Sequence, residues 1–288
     1  MLLGGIVGAI NLPAQSGDTL VRSGEIRAAV VQGDVKLAYP QGQTAPLHEG
    51  DIILPGLSVV TGANSTALLA FANGAVAQLK ADSNLTITKF QQAAIDNPPP
   101  LEKLPLSSAP GQSITELNLQ AGTLVAGILR SGRTMGSAFN ITTPAGLATN
   151  PDNAILLCTV VLNQGKLQSA TIAAAEGSVS FNRVLLAGAK PSGEIVVHAG
   201  GKAILSPEPK AESLFKVEGL PFNGAEAQAI LDNFYAAVNL ARPGQPPLKT
   251  PSAPPPERGS GPALKPPSLF DDPTAFPTPI TRAIPTHP

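Results

Sequence analysis

Gln32-Gly33-Asp34-Val35-Lys36-Leu37 recurs twice in the same pattern, as Ala121-Gly122-Thr123-Leu124-Val125-Ala126 and Glu176-Gly177-Ser178-Val179-Ser180-Phe181. Each copy sets a glycine before a small polar residue, then opens an alternating run with an aliphatic side chain. Glycine bends the backbone without a Cβ penalty, and alternation places every second side chain on one buried face. Gly33, Gly122 and Gly177 are therefore read as structural turns between short strands. The first and third copies also share an ending, Leu47-His48-Glu49-Gly50-Asp51 and Val197-His198-Ala199-Gly200-Gly201.

Strand signals continue outward from these corners. Residues 25–31 and 34–39 read as a strand pair around Gln32-Gly33. Residues 65–72 and 75–80 flank Asn73-Gly74, the dipeptide favoured in a two-residue type I′ hairpin turn. The run Leu85-Thr86-Ile87-Thr88-Lys89-Phe90 alternates, with Leu85 and Ile87 on one face and Thr86, Thr88 and Phe90 on the other. Further strands are expected at 114–126, 138–144, around Cys158, and at 167–174, 178–181, 184–187, 194–197 and 202–205. Many short strands separated by turns predict an all-β fold, an antiparallel sandwich or β-roll spanning 24–205. The stretch 92–112 holds Asn97-Pro98-Pro99-Pro100 and is expected to be a surface loop, because proline donates no ladder hydrogen bond.

One helix is legible at 224–241, after a linker that starts at 211 and within a 211–242 segment. Asn223 is placed to cap it, with Glu226 three residues on as in a capping box. Ile230, Leu231, Phe234 and Val238 recur at helical spacing with Ala227 and Ala241. That stripe is expected to dock on the parent domain, with recognition of a partner as the alternative. Arg242 suits the helix C-terminus and Pro243 stops it. From 243 to 288 prolines recur with little apolar content, and this tail is expected to be disordered or locally polyproline II.

Bulk composition narrows the function classes. The 288 residues include 30 prolines, 9 phenylalanines, 2 tyrosines and no tryptophan, so the core is expected to be aliphatic and aromatic platforms for sugars are scarce. Charged residues are 14 % and the net charge is −1, without a basic patch for nucleic acid or a membrane surface. Cys158 is the single cysteine and lies in an apolar run, which favours a packed core thiol over a nucleophile. Of the three histidines, His48 and His198 hold matching places in two related units and His287 lies in the tail. Two imidazoles with Glu49 and Asp51 nearby make a poor zinc site, and no catalytic, cofactor-binding or metal residue is assigned. Phosphate-binding loop, dinucleotide fingerprint and nucleophile elbow motifs are all missing.

Met1-Leu2-Leu3-Gly4-Gly5-Ile6-Val7-Gly8-Ala9-Ile10 has the length of a signal-peptide apolar core and is too short to span a bilayer. Residues 1–16 are read as a truncated signal segment, which predicts a periplasmic or secreted protein without a transmembrane helix of its own.

The block Gly50-Asp51, then Val59-Val60-Thr61-Gly62-Ala63-Asn64-Ser65-Thr66-Ala67-Leu68-Leu69-Ala70-Phe71-Ala72-Asn73-Gly74, then Ser83-Asn84-Leu85-Thr86-Ile87 resembles the FecR-type extracytoplasmic domain. Leu117-Asn118-Leu119-Gln120-Ala121-Gly122-Thr123-Leu124 is similar to its second block, and Phe139-Asn140-Ile141-Thr142-Thr143-Pro144 to its "F-x-I-x-T-P". Glu176-Gly177-Ser178-Val179 and His198-Ala199-Gly200 resemble its closing motifs. The order and spacing of these motifs carry the resemblance over about residues 24–205. Ala148-Thr149-Asn150-Pro151-Asp152-Asn153 stands where the family usually has an Arg-Gly-Thr-like segment. The resemblance implies the extracytoplasmic module and not direct sigma-factor regulation; a narrower reading makes the chain a signalling relay in a FecR-like pathway, with the transmembrane partner on another chain.

Together these readings point to a non-enzymatic binding or signalling module of the bacterial envelope, working through contacts with an envelope protein. Carbohydrate binding or a structural, adhesive role is the alternative. Cell fractionation with sequencing of the mature N-terminus tests export. Cleavage near Ala14 is the expected outcome, and an intact Met1 in the cytoplasm refutes it.

Overall fold

The computed structural model describes residues 21–93, 112–128, 137–150, 154–183, 194–207, 215–221, 224–240, 246–253 and 263–264. The chain begins with β1 (Val21–Ser23), β2 (Ile26–Gln32), β3 (Val35–Ala38), β4 (Thr44–Pro46), β5 (Ser58–Thr61) and β6 (Thr66–Phe71). It continues through β7 (Ala75–Leu79), β8 (Asn84–Ala93), β9 (Ser113–Ile128), β10 (Ala138–Thr143), β11 (Gly146–Thr149) and β12 (Ile155–Asn163). The last elements are β13 (Lys166–Glu176), β14 (Ser178–Arg183), β15 (Ile195–His198), β16 (Gly201–Pro207), β17 (Phe215–Pro221), α1 (Gly224–Leu240) and β18 (Ala263–Leu264). The fold is all-β with one C-terminal helix.

Two sheets share one strand. Sheet A runs β4-β3-β5-β8-β9-β10-β11-β14-β15-β18, with β1 against the far end of β8. Sheet B runs β2-β6-β7-β9-β12-β13-β16-β17. The first half of β9 pairs in sheet A and the second half in sheet B, so β9 is central to both layers. The inward residues of the two sheets, among them Leu69, Leu79, Leu124 and Cys158 from one and Val59, Ile87, Leu117 and Phe139 from the other, form one core. Phe71 and Phe90 meet edge to face across it, centroids 5.2 Å apart.

The three repeated stretches are the places where the chain passes between layers. Gly33 lies between β2 in sheet B and β3 in sheet A, Gly122 lies inside β9, and Gly177 lies between β13 in sheet B and β14 in sheet A. Their φ values of 79°, 87° and 72° are left-handed, which glycine alone adopts without strain. The expected pairing of 25–31 with 34–39 is therefore wrong. β2 and β3 form one bent ribbon whose partner is the equally bent β5 and β6, since Val35 faces Thr61 and Gln32 faces Thr66. Likewise β7 and β8 pair along β9, and β13 and β14 pair along β15 and β16.

Two of these corners are held by the same device. Ala63-Asn64-Ser65 and Ala81-Asp82-Ser83 each bend through a left-handed residue, Asn64 (φ 57°) and Asp82 (φ 54°). Ser65 Oγ accepts the Asp34 N–H (2.9 Å) and donates to Ala63 O (3.2 Å). Ser83 Oγ accepts the Thr123 N–H (2.9 Å) and lies 3.2 Å from Thr123 O and 3.3 Å from Ala81 O. In both, the amide just after the corner glycine meets a serine hydroxyl. A Cβ on Gly33 or Gly122 would fall 2.5 or 2.3 Å from that hydroxyl. Gly62 joins the two clamps, its N–H donating to Asp34 O and its carbonyl accepting the Ser65 and Asp82 N–H groups, while the Thr61 hydroxyl beside it donates to Lys80 O (2.6 Å) and accepts the Ser83 N–H (2.9 Å). The shared endings match too, for the Gly50 N–H donates to Ala28 O and the Gly200 N–H to Ala174 O.

Several expectations are corrected in detail. Asn73-Gly74 is not a two-residue type I′ turn: Gly74 is left-handed (φ 82°), Asn73 is not, and the Gly74 N–H closes the turn on Phe71 O. The cause is the buried Asn73 side chain, which accepts the Ala75 N–H and donates to Ser113 and Thr115 of β9. The turn with both central φ values positive is Gln164-Gly165 (50° and 74°), joining β12 to β13. A register shift between Ile87 and Lys89 turns Phe90 inward beside Leu85 and Ile87, where strict alternation put it outside. β10 runs parallel to β9, an exception to the antiparallel plan. Residues 215–221 are strand β17, not linker, and extend sheet B beyond 205.

Other expected features fall at the edge of the described residues. Positions 92 and 93 belong to β8, where the Ala93 N–H donates to Gln112 O, and 94–111 lie outside the described residues. Residues 1–16, 184–187, Asn223, Arg242 and Pro243 also lie outside them. Glu226 sits 3.3 Å from Lys202 Nζ.

Gly122→Ala adds left-handed strain and a Cβ 2.4 Å from the Ser83 backbone, and is expected to cost about 3 kcal/mol or more. Gly42→Ala has similar φ (85°) but open space, and is expected to cost only about 1 kcal/mol. Urea unfolding of the two variants checks the difference.

Candidate functional site

Each residue singled out in the sequence has a definite place. Gly33, Gly74, Gly122, Gly177 and Asn73 are structural, as described above. Cys158 is fully buried in β12, and burial pushes its thiol up to about 12, which leaves no thiolate for chemistry at neutral pH. His48 is exposed; its N–H donates to Asp51 Oδ2 (2.8 Å) and its ring Nδ1 is 3.5 Å from the same carboxylate. His198 Nδ1 lies 3.0 Å from Ser178 Oγ across the β14–β15 ladder. His287 lies outside the described residues. Among the described residues no group of three or more His, Cys, Asp and Glu is placed to hold a metal ion. No helix among them is long and apolar enough to cross a membrane.

The stripe Ile230, Leu231, Phe234 and Val238 is not offered to a partner. It is buried with Ala227 and Ala237 against Leu68, Val76, Val125, Ile155, Ala173 and Ala175 on the outer face of sheet B. Those sheet positions are small or aliphatic at alternate residues of β6, β7, β9, β12 and β13, so the helix has a smooth bed. The docked reading of the helix is the one the structure shows.

The helix presents a second stripe beside the buried one. Gln228, Asp232, Tyr235 and Asn239 fall at i, i+4, i+7 and i+11, on one side of the cylinder. Along it runs Pro246-Pro247-Leu248-Lys249-Thr250-Pro251-Ser252-Ala253. This part of the tail, expected to be disordered or locally polyproline II, lies extended against the helix. Asn239 Nδ2 donates to Leu248 O (3.1 Å) and Asn239 Oδ1 accepts the Leu248 N–H (2.8 Å). At the other end Gln228 Nε2 donates to Pro251 O (3.2 Å) and Gln228 Oε1 accepts the Ala253 N–H (2.7 Å). Two side-chain amides thus stand in for a neighbouring strand. The distances agree, since eleven helical residues rise about 16 Å and five extended residues span about 16 Å. Leu248, Ala253 and Tyr235 pack at the margin of the helix cluster.

This strap is held by a small margin. Its four bonds contribute about 4 kcal/mol net. Ordering its five residues other than proline costs about 5 kcal/mol. Half-burying Leu248 and Ala253 tips the balance toward the closed form. The sequence contains Gln228 and Asn239 in plain view, but an amide on a helix shows no pattern that distinguishes a clamp from a solvated side chain.

Electrostatics mark the same region. Burial holds the Tyr235 phenol above its ordinary range, with the negative charge of Glu176 adding to the effect. Burial also raises the Glu176 carboxyl. A second extended tail segment, β18, pairs with the β15 edge of sheet A through Ile195↔Leu264 and Val196↔Ala263.

No protein-family model matches the chain, and no curated protein is significantly similar to it. Among solved structures it is similar to two crystal structures described as "a putative anti-sigma factor from Parabacteroides distasonis ATCC 8503", at 9 % and 8 % identity. Both superpose with a TM-score of 0.38 over 58 % of this chain and 62 % of that one, so the match spans less than two thirds of the neighbour.

A raised carboxyl pKa favours the folded state below the unfolded pKa, and that contribution is lost as pH rises through the folded one. Glu176→Gln is therefore expected to be more stable than the parent at pH 7 and to lose that advantage in acid. In a Tyr39→Phe background, where Tyr235 is the only phenol, ultraviolet titration is expected to show its pKa falling in Glu176→Gln. It should stay above the ordinary value, because burial is the larger cause.

Proposed function

We propose that this chain is a non-enzymatic, FecR-like binding module of the bacterial cell envelope that works through protein–protein contacts in the periplasm or outside the cell. The observation that supports this reading is the β15 edge of sheet A. There an extended segment of the chain's own tail adds as an antiparallel strand over only two residues. A longer strand from a partner would compete for the same backbone donors and acceptors, with alternate side chains supplying selectivity.

The FecR-like motifs fall where the fold needs them. The first spans β5, β6 and the Ser65 clamp, the second the β9 corner, and the last two the Gly177 corner and the turn opposite it. They build the scaffold, and the edges are left for contacts. In this reading the membrane-spanning partner is another chain.

Val196 and Ala263 are cross-strand partners, a relation whose Cα spacing suits a disulfide. The double variant Val196→Cys/Ala263→Cys should lock the tail on the edge when oxidised. Affinity capture from native-host envelopes is expected to recover one specific regulator with the reduced form and at least tenfold less with the oxidised form. Retention of a polysaccharide instead, or concentration-dependent self-association alone, would replace this reading with the carbohydrate or structural one.

A further inference from the structure

We propose that the stripe Gln228–Asp232–Tyr235–Asn239 of α1 is a recognition groove for an extended, proline-containing peptide supplied by another protein, and that residues 246–253 occupy it in cis as a built-in competitor. The inference rests on the reading of the chain as a peptide-binding envelope module and names a second, separate surface and its ligand.

The groove reads a backbone. Gln228 and Asn239 take the N–H groups of positions 248 and 253 and the carbonyls of positions 248 and 251. Only two amides are required, so proline is forbidden at those two positions and tolerated at every other. The cis occupant obeys this rule, with Leu248 and Ala253 at the two donor positions and prolines at 246, 247 and 251. Its inward positions are Leu248, Thr250 and Ala253, and its prolines, Lys249 and Ser252 are exposed. A ligand therefore needs one aliphatic anchor, a small residue five positions later, and an extended backbone between them. Proline lowers the entropic cost of holding that shape, as in other polyproline-binding surfaces, and half-buried Tyr235 stands between the clamps, one turn from Asn239.

The cis segment also sets the condition for binding. A tethered ligand competes at an effective concentration in the millimolar range, so a peptide from another chain gains the groove only when the strap lifts. Lifting the strap takes Leu248 and Ala253 from the margin of the helix cluster, while the buried stripe of α1 keeps its own contacts with sheet B.

The test uses the full chain and a labelled octapeptide with the sequence Pro-Pro-Leu-Lys-Thr-Pro-Ser-Ala. Leu248→Asp, which removes the cis anchor, is expected to bind the peptide at least tenfold more tightly than the parent by fluorescence anisotropy. Adding Gln228→Leu or Asn239→Leu to that variant should weaken binding at least tenfold. Amide hydrogen exchange of the unaltered chain supplies a readout free of folding defects. The Leu248 and Ala253 N–H groups are expected to exchange far faster than core amides such as those of β9. Protection equal to the β9 core, or no peptide binding by the Leu248→Asp chain, overturns the proposal. If the octapeptide fails while capture at β15 stays sensitive to the disulfide, the groove alone is refuted and the envelope-binding reading stands.

Discussion

A strand can serve two layers of a sandwich only if it bends where no side chain obstructs the turn and where the displaced amide finds a new acceptor. Here both conditions are met by a glycine facing a serine hydroxyl, at Gly33–Ser65 and at Gly122–Ser83. The glycine removes the Cβ that would strike the hydroxyl, and the hydroxyl takes the amide that the bent ladder leaves over. The Gly62 peptide bonds to both clamps and the Thr61 hydroxyl ties the second, so one polar network spans the entry of β3 into sheet A and the crossing of β9 between the sheets. β9 is central to both layers and pairs directly with β7, β8, β10 and β12. A polar network inside a core is costly unless each member is satisfied, and these members are.

Side-chain amides repeat the idea at the periphery. Asn150 accepts the Ala154 N–H and donates to Ala154 O, both at 2.8 Å, closing the turn into β12. Asn73 ties the β6–β7 turn to the β9 hydroxyls. Asn239 and Gln228 do for the strap what Asn150 does for a turn. Each amide offers N–H donors and a carbonyl acceptor in one plane, the two functions that a strand edge presents, so it completes a backbone edge without a further strand. A chain poor in charge and aromatics thus gains specificity from small, neutral polar groups set against an aliphatic core.

This architecture encloses the reactive groups that the sequence singled out and presents extended backbone at its surface. The one thiol is sealed in β12, the two described histidines bond to a nearby carboxylate and a hydroxyl, and the amphipathic helix is spent on covering sheet B. What the fold displays are places where extended backbone is already received, at β15 and along α1. In both the present occupant is the chain's own proline-rich C-terminal region. A module that holds its own tail in two such sites has a ready means of exchanging it for another chain.

By itself the sequence determined the all-β class, the three glycine corners, the burial of Cys158 and the docking stripe of α1, because each rests on local sterics or a short period in the apolar pattern. Only the tertiary structure decided that Gln32-Gly33 passes between sheets instead of closing a hairpin, since a left-handed glycine serves either purpose and the choice depends on which strand lies opposite. It likewise decided the turn at Asn73, the inward turn of Phe90 and the order of the strap. In each case a partner distant in sequence — the β9 hydroxyls, a bulge in the β8–β9 ladder, two amides on a helix — outweighed the local preference, and hydrogen bonds formed only on assembly leave no periodic trace in the chain.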